Sequence, residues 1–123
     1  FMTIFSKLIP IPEPIQNKSR VGDLKKRLDW GEPALTIVDV RTRESFNTSH
    51  IRGSIPMPMD EPANLTLASL ESSRDIYVYG ETDEQTAEVA TKLRETGYQN
   101  VAELIGGLSA WKKAKYPTDG FSG

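Results

Sequence analysis

Cysteine is absent from all 123 residues. Disulfides, thiolate metal sites and thiol nucleophiles are excluded with it. Histidine occurs once, at His50, so a histidine-rich metal centre has no ligand set. The expectation is no metal and no cofactor. No apolar run approaches the roughly 18 residues that read as a membrane span. No secretory leader is visible, and the expected location is the cytoplasm. Charge of neither sign dominates: 15 Lys and Arg against 17 Asp and Glu leave a net charge of −2, no basic footprint for nucleic acid. Lys25-Lys26-Arg27 and Lys112-Lys113 read as solvated helix faces.

The remaining composition, 37% hydrophobic and 26% charged, is that of an ordinary globular domain. A chain of this length fits one domain and buries roughly two thirds of its unfolded surface without staples. Pro10, Pro12 and Pro14 enforce an extended backbone and remove amide donors, so residues 1–14 read as an edge-covering arm. Ser19 is the expected N-cap of a helix over roughly 20–29, with Val21, Leu24 and Leu28 on one stripe and Gly31 at its end. Residues 35–40, LTIVDV, form the nearly continuous apolar run of a strand buried on both faces. Asp39 interrupts it and must be hydrogen-bonded or paired there. Arg41, His50, Arg52 and backbone amides near His50 are the candidate partners. A short helix is expected over 42–46, then a short strand within 50–56 that bends at Gly53. His50 fits a general base, or a structural ring that braces the turn; with no nucleophile to activate, the second reading is preferred.

A helix or helical turn is expected over 64–70 through Leu65, Leu67 and Leu70. The stretch IYVYGETDEQTAEVATKL, residues 76–93, organises the chain. Ile76, Tyr77, Val78 and Tyr79 suit a pleated, buried strand. Ala87, Val89, Ala90 and Leu93 mark the buried side of a following helix. Between them lies the loop Gly80-Glu81-Thr82-Asp83-Glu84-Gln85. A loop in this position opens at the carboxyl end of the sheet and aims amides and a positive helix end outward, an anion pocket by geometry. Its side chains oppose one, because Glu81, Asp83 and Glu84 crowd the same residues. Thr82 to Gln85 also spells a capping box, T-x-x-Q. A strand over 101–104 follows, then a tight loop at Gly106-Gly107, then a helix over 108–115 with Trp111 on its apolar face. Residues 119–123 read as a frayed tail. Alternating strands and helices predict an α/β fold with a parallel sheet.

Asp39-Val40-Arg41, Phe46 and the run from His50 to Pro56 resemble the first signature of rhodanese-like domains. The strand IYVY, the six-residue loop and its helix, then Gly97-Tyr98, Asn100-Val101, Leu104, Gly106-Gly107 and Trp111, resemble the second half of that family. The resemblance covers roughly residues 15–118. It implies a single domain whose central parallel five-stranded sheet is flanked by helices on both faces. In active members the loop opens with a cysteine that carries sulfur as a persulfide, and loop amides with a basic residue hold the anionic substrate. Here Gly80 stands at the cysteine position and Gln85 where the arginine is usual.

Residues 80–85 are therefore read as a vestigial active-site loop, with no catalytic residue. Asp39, Arg41, His50, Gly53, Gly106, Gly107 and Trp111 are read as structural motif residues. The expected function is a catalytically inactive domain that binds another protein or regulates, with no nucleic acid or membrane partner. The alternatives are a small-ligand or anion-sensing domain, or an enzyme that uses the acidic loop through carboxylate or Mg²⁺ chemistry.

Overall fold

The computed structural model describes residues 17–31, 35–59 and 71–121. The arm over 1–14 and the helix expected over 64–70 lie outside these residues. Among them, seven strands run in the order β1 (Lys18–Ser19), β2 (Leu35–Asp39), β3 (His50–Ile51), β4 (Ile55–Pro56), β5 (Asp75–Tyr79), β6 (Asn100–Leu104) and β7 (Thr118–Asp119). Four helices are interleaved: α1 (Val21–Asp29), α2 (Arg43–Thr48), α3 (Asp83–Thr96) and α4 (Gly107–Lys113). The main sheet has the order β1-β6-β5-β2-β4, and every pairing in it is parallel. The expected five-stranded parallel sheet is the one observed.

The pleat of β5 divides the core in two. Ile76 and Val78 point to one face and meet Val38, Val40, Val101 and the Val89, Ala90 and Leu93 stripe of α3. Tyr77 and Tyr79 point to the other and meet Leu24 of α1, Ile51 and Trp111 of α4. Buried on both sides, β5 reads as a continuous apolar run for this reason. Its carboxyl end delivers Gly80 to the rim of the sheet, with β2 on one side and β6 on the other.

Four local expectations are corrected. Ser19 does not cap α1. It lies in β1 beside Leu104, its carbonyl accepts the Ile105 amide at 2.9 Å, and Arg20 takes the cap position without a side-chain bond. The strand expected within 50–56 is split by a turn at Gly53: β3 pairs antiparallel with β7, while β4 pairs with β2. The tail is consequently not frayed over its described part. Thr118 and Asp119 are held by Ile51 and His50, and the Phe121 amide donates to Asn47 O at 3.0 Å. The last helix also stops two residues early, because Lys115 adopts a left-handed φ of 63°.

Trp111 is fully buried. Its ring meets Tyr116 edge-on at 5.0 Å, and its Nε1 donates to Pro117 O at 2.7 Å, which ties α4 to the segment returning as β7. Trp111→Ala should cost roughly 3–5 kcal/mol through the cavity it leaves. Urea unfolding of the purified variant checks this, and a midpoint equal to wild type would contradict it.

Candidate functional site

Asp39 ends β2 with no exposure to solvent. Two residues on, Arg41 turns its side chain back onto the same carboxylate. Arg41 Nε lies 3.0 Å from Oδ1, Nη2 lies 2.7 Å from Oδ2, and the Arg41 amide donates to Oδ1 at 2.9 Å. Nη2 also donates to Ser49 O at 2.6 Å, which ties the pair to the end of α2. Of the partners considered for Asp39, the structure selects Arg41. Burial works to lower the Arg41 pKa, but the hydrogen bond and charge of Asp39, supported by Tyr79 and Glu81, outweigh it and hold that pKa above its usual value. Tyr79 lies below, its ring 5.5 Å from the guanidinium, its hydroxyl accepting from the Ile51 amide at 3.1 Å. Burial first, then the charge of Asp39, pushes the Tyr79 phenol far above its ordinary 10.0.

His50 is half-buried and stacks on Phe46 at 3.7 Å between ring centroids, with Nδ1 2.7 Å from Phe46 O. It braces the α2–β3 turn and does not line the cavity at the loop.

That cavity, of about 280 Å³, is bounded by Arg41 and by residues 80–83 and 106–109. The loop around it is closed by internal hydrogen bonds. The Gly80 amide donates to Thr86 Oγ1 at 2.8 Å. The Gln85 amide donates to Thr82 Oγ1 at 3.1 Å, the first half of the expected capping box. The second half is corrected: Gln85 Oε1 accepts from the Glu81 amide at 2.7 Å, one residue before the cap. This folds Gln85 over Gly80. A side chain at residue 80 would put its Cβ 2.5 Å from Gln85 Oε1 and 3.0 Å from Cδ. Across the cavity, Asp83 Oδ1 accepts the Gly106 amide at 3.0 Å and joins the starts of α3 and α4. Gly106 has φ +78°, and a Cβ there would stand 2.6 Å from Ala110 Cβ, so only glycine fits. Among the described residues, no group of three or more His, Cys, Asp or Glu is placed to hold a metal ion. No helix among them is long and apolar enough to cross a membrane.

Two participants escape sequence reasoning. Thr86 reads as one more polar helix residue, yet it is buried and its hydroxyl takes the Gly80 amide. Arg41 reads only as a partner for Asp39, yet it bounds the cavity. The i, i+2 spacing of Asp39 and Arg41 is the signal for the second, since it places both on one side of an extended segment.

The pattern that defines the rhodanese-like domain matches residues 20–114. This chain belongs to the rhodanese-like domain family. The solution structure of the rhodanese-like domain of the Alr3790 protein from Anabaena superposes with a TM-score of 0.81 at 48% identity, over 88% of this chain and 82% of that one. A TBC domain-containing protein kinase-like protein of Gallus gallus is 33% identical over an alignment of 98 residues that covers 71% of this chain and 11% of that protein. An HTH-type transcriptional regulator of Mycobacterium tuberculosis is 34% identical over 100 residues, 80% of this chain and 42% of its own length. The rhodanese-like domain thus spans less than half the length of both these curated relatives.

Asp39→Ala should destabilise this domain by about 3 kcal/mol, because it strands a buried guanidinium. A thermal midpoint unchanged by the substitution would place Asp39 in solvent. Tyr79 gives a second test. A phenol whose pKa is raised by folding stabilises the fold fully below its unfolded value, and that contribution is lost as pH rises through the folded pKa. Stability should therefore fall from about pH 10 upward, more steeply in wild type than in Tyr79→Phe, as read by denaturant midpoints across alkaline pH.

Proposed function

We propose that this chain is a catalytically silent rhodanese-like domain, without sulfurtransferase activity, that acts as a protein-binding or regulatory module. One observation carries the reading: the position that opens the family's sulfur-carrying loop is Gly80, and the space its side chain would enter is taken by Gln85. A thiolate is the attacking species in sulfur transfer, and no other cysteine exists to supply it. The loop's acids complement the start of α3, each by about 0.3–1 kcal/mol, and repel an anionic sulfur donor. The modular part of the reading rests on context. Two curated relatives carry the matching segment inside longer proteins named for a kinase-like and a transcriptional function. Small-ligand sensing is a second reading, favoured by the cavity beside the loop.

Purified protein should turn over thiosulfate and cyanide no faster than buffer alone; turnover above that level would refute the silent reading. Restoring the thiol alone should not restore activity. In Gly80→Cys the new side chain displaces Gln85, and Glu81, Asp83 and Glu84 disfavour the thiolate, against the helix end that favours it. Alkylation rate against pH should show a lower thiol pKa once Glu81, Asp83 and Glu84 are made Gln, Asn and Gln and Gln85 is made Arg. A single mutant that already turns over thiosulfate would show that the acidic loop is no barrier. For the binding role, a partner captured by wild type from its own cells should be lost when Glu81 and Glu84 are changed to Lys.

A further inference from the structure

The cavity beside the loop contains an arrangement of charge that the silent reading leaves unused. Arg41 is nine-tenths buried, and three of its side-chain hydrogen bonds go to Asp39 and one to Ser49 O, all from Nε and Nη2. Nη1 makes no hydrogen bond among the described residues, and it is not sealed from solvent, since Ser49 Oγ is the one fully buried side-chain polar atom left unsatisfied among them. A guanidinium nitrogen carries two N–H donors and no acceptor capacity. Donors left over on a cation that bounds a cavity are available to an acceptor inside it. The outer part of the cavity has the opposite character. Glu81 and Asp83 both line it and both are exposed, and Asp83 commits only Oδ1, to Gly106. Glu81 is near enough for its charge to act on Arg41.

We propose that this cavity binds a small zwitterion, an ammonium-carboxylate of amino-acid type, with its carboxylate on Arg41 Nη1 and its ammonium between Glu81 and Asp83. A simple anion satisfies the donors but meets the two acids at the rim. A simple cation satisfies the acids but leaves Nη1 unpaired and faces the guanidinium. Arg41 and Asp39 cancel each other, so the acids set the sign that an entering ligand meets, and only a ligand with both charges in the right order answers each group. The volume of about 280 Å³ lies just below the roughly 300 Å³ at which drug-sized ligand pockets begin, which suits a molecule of this size and not a larger cofactor. This goes beyond the silent-module reading, which stands or falls on sulfur chemistry and partner capture whatever the cavity holds.

The test is a titration of the wild-type protein, followed by two-dimensional amide NMR at constant ionic strength, with glycine, β-alanine, 4-aminobutyrate, acetate and methylammonium as probes. At least one of the three zwitterions should shift the amides of Gly80, Gly106 and Gly107 and the Arg41 Nε–H saturably, at least about tenfold more tightly than acetate or methylammonium. In Glu81→Gln, an exposed position that holds no structural side-chain bond among the described residues, the preference over acetate should fall about tenfold. No saturable shift with any zwitterion would overturn the proposal. Acetate binding as tightly as the best zwitterion, or a preference unchanged in Glu81→Gln, would also overturn it, because the ordering of charges would then play no part.

Discussion

The Asp39–Arg41 pair is the constraint around which the carboxyl edge of the sheet is arranged. Neither charge tolerates burial alone, and together they form a two-pronged pair, Nε and Nη2 on the two carboxylate oxygens, at the point where β2 leaves the sheet. The pair then does two further things. It anchors the end of α2 through Ser49 O, and it lies across the ring of Tyr79, whose hydroxyl receives the Ile51 amide. The β2 end, α2, β3 and the last residue of β5 are thereby fixed relative to one another. Gly80 follows directly, so the position of the loop depends on an ion pair that touches no loop backbone.

Given that scaffold, the loop itself has turned inward. Amides at this rim are met by the protein's own oxygens: Thr86 for Gly80, Gln85 for Glu81, Asp83 for Gly106. Each of these hydrogen bonds is worth about 1 kcal/mol, more where a carboxylate accepts. The helix start is capped, charged to suit its dipole and joined to the start of α4. A loop braced in this way commits its Gly80, Glu81 and Gln85 amides to the protein's own oxygens.

The elements legible in the sequence are those whose signal is a run. Residues 76–79, 35–40 and 101–104 announce buried strands because both faces of the sheet are covered, and Val89, Ala90 and Leu93 announce the packed side of α3. The motif residues of the family, from Asp39 through Trp111, implied a parallel five-stranded sheet, while its strand order came only with the structure. What escaped is set by tertiary contact. β1 and β7 are two residues each, too short to carry a period, and exist because Leu104 and Ile51 offer them partners. The rotamer that carries Gln85 back to the Glu81 amide, and not to Thr82, depends on the absence of a side chain at Gly80, and no spacing rule reports that.

The outermost strands of the main sheet bear on how the domain behaves in company. Among the described residues, β1 and β4 are two residues long, and β4 ends on Pro56, which has no amide hydrogen. Strand-by-strand recruitment of another chain needs a row of unpaired ladder groups, and these margins present almost none. Among the described residues, the margins of the sheet therefore offer copies of the domain little template for zipping into a shared sheet.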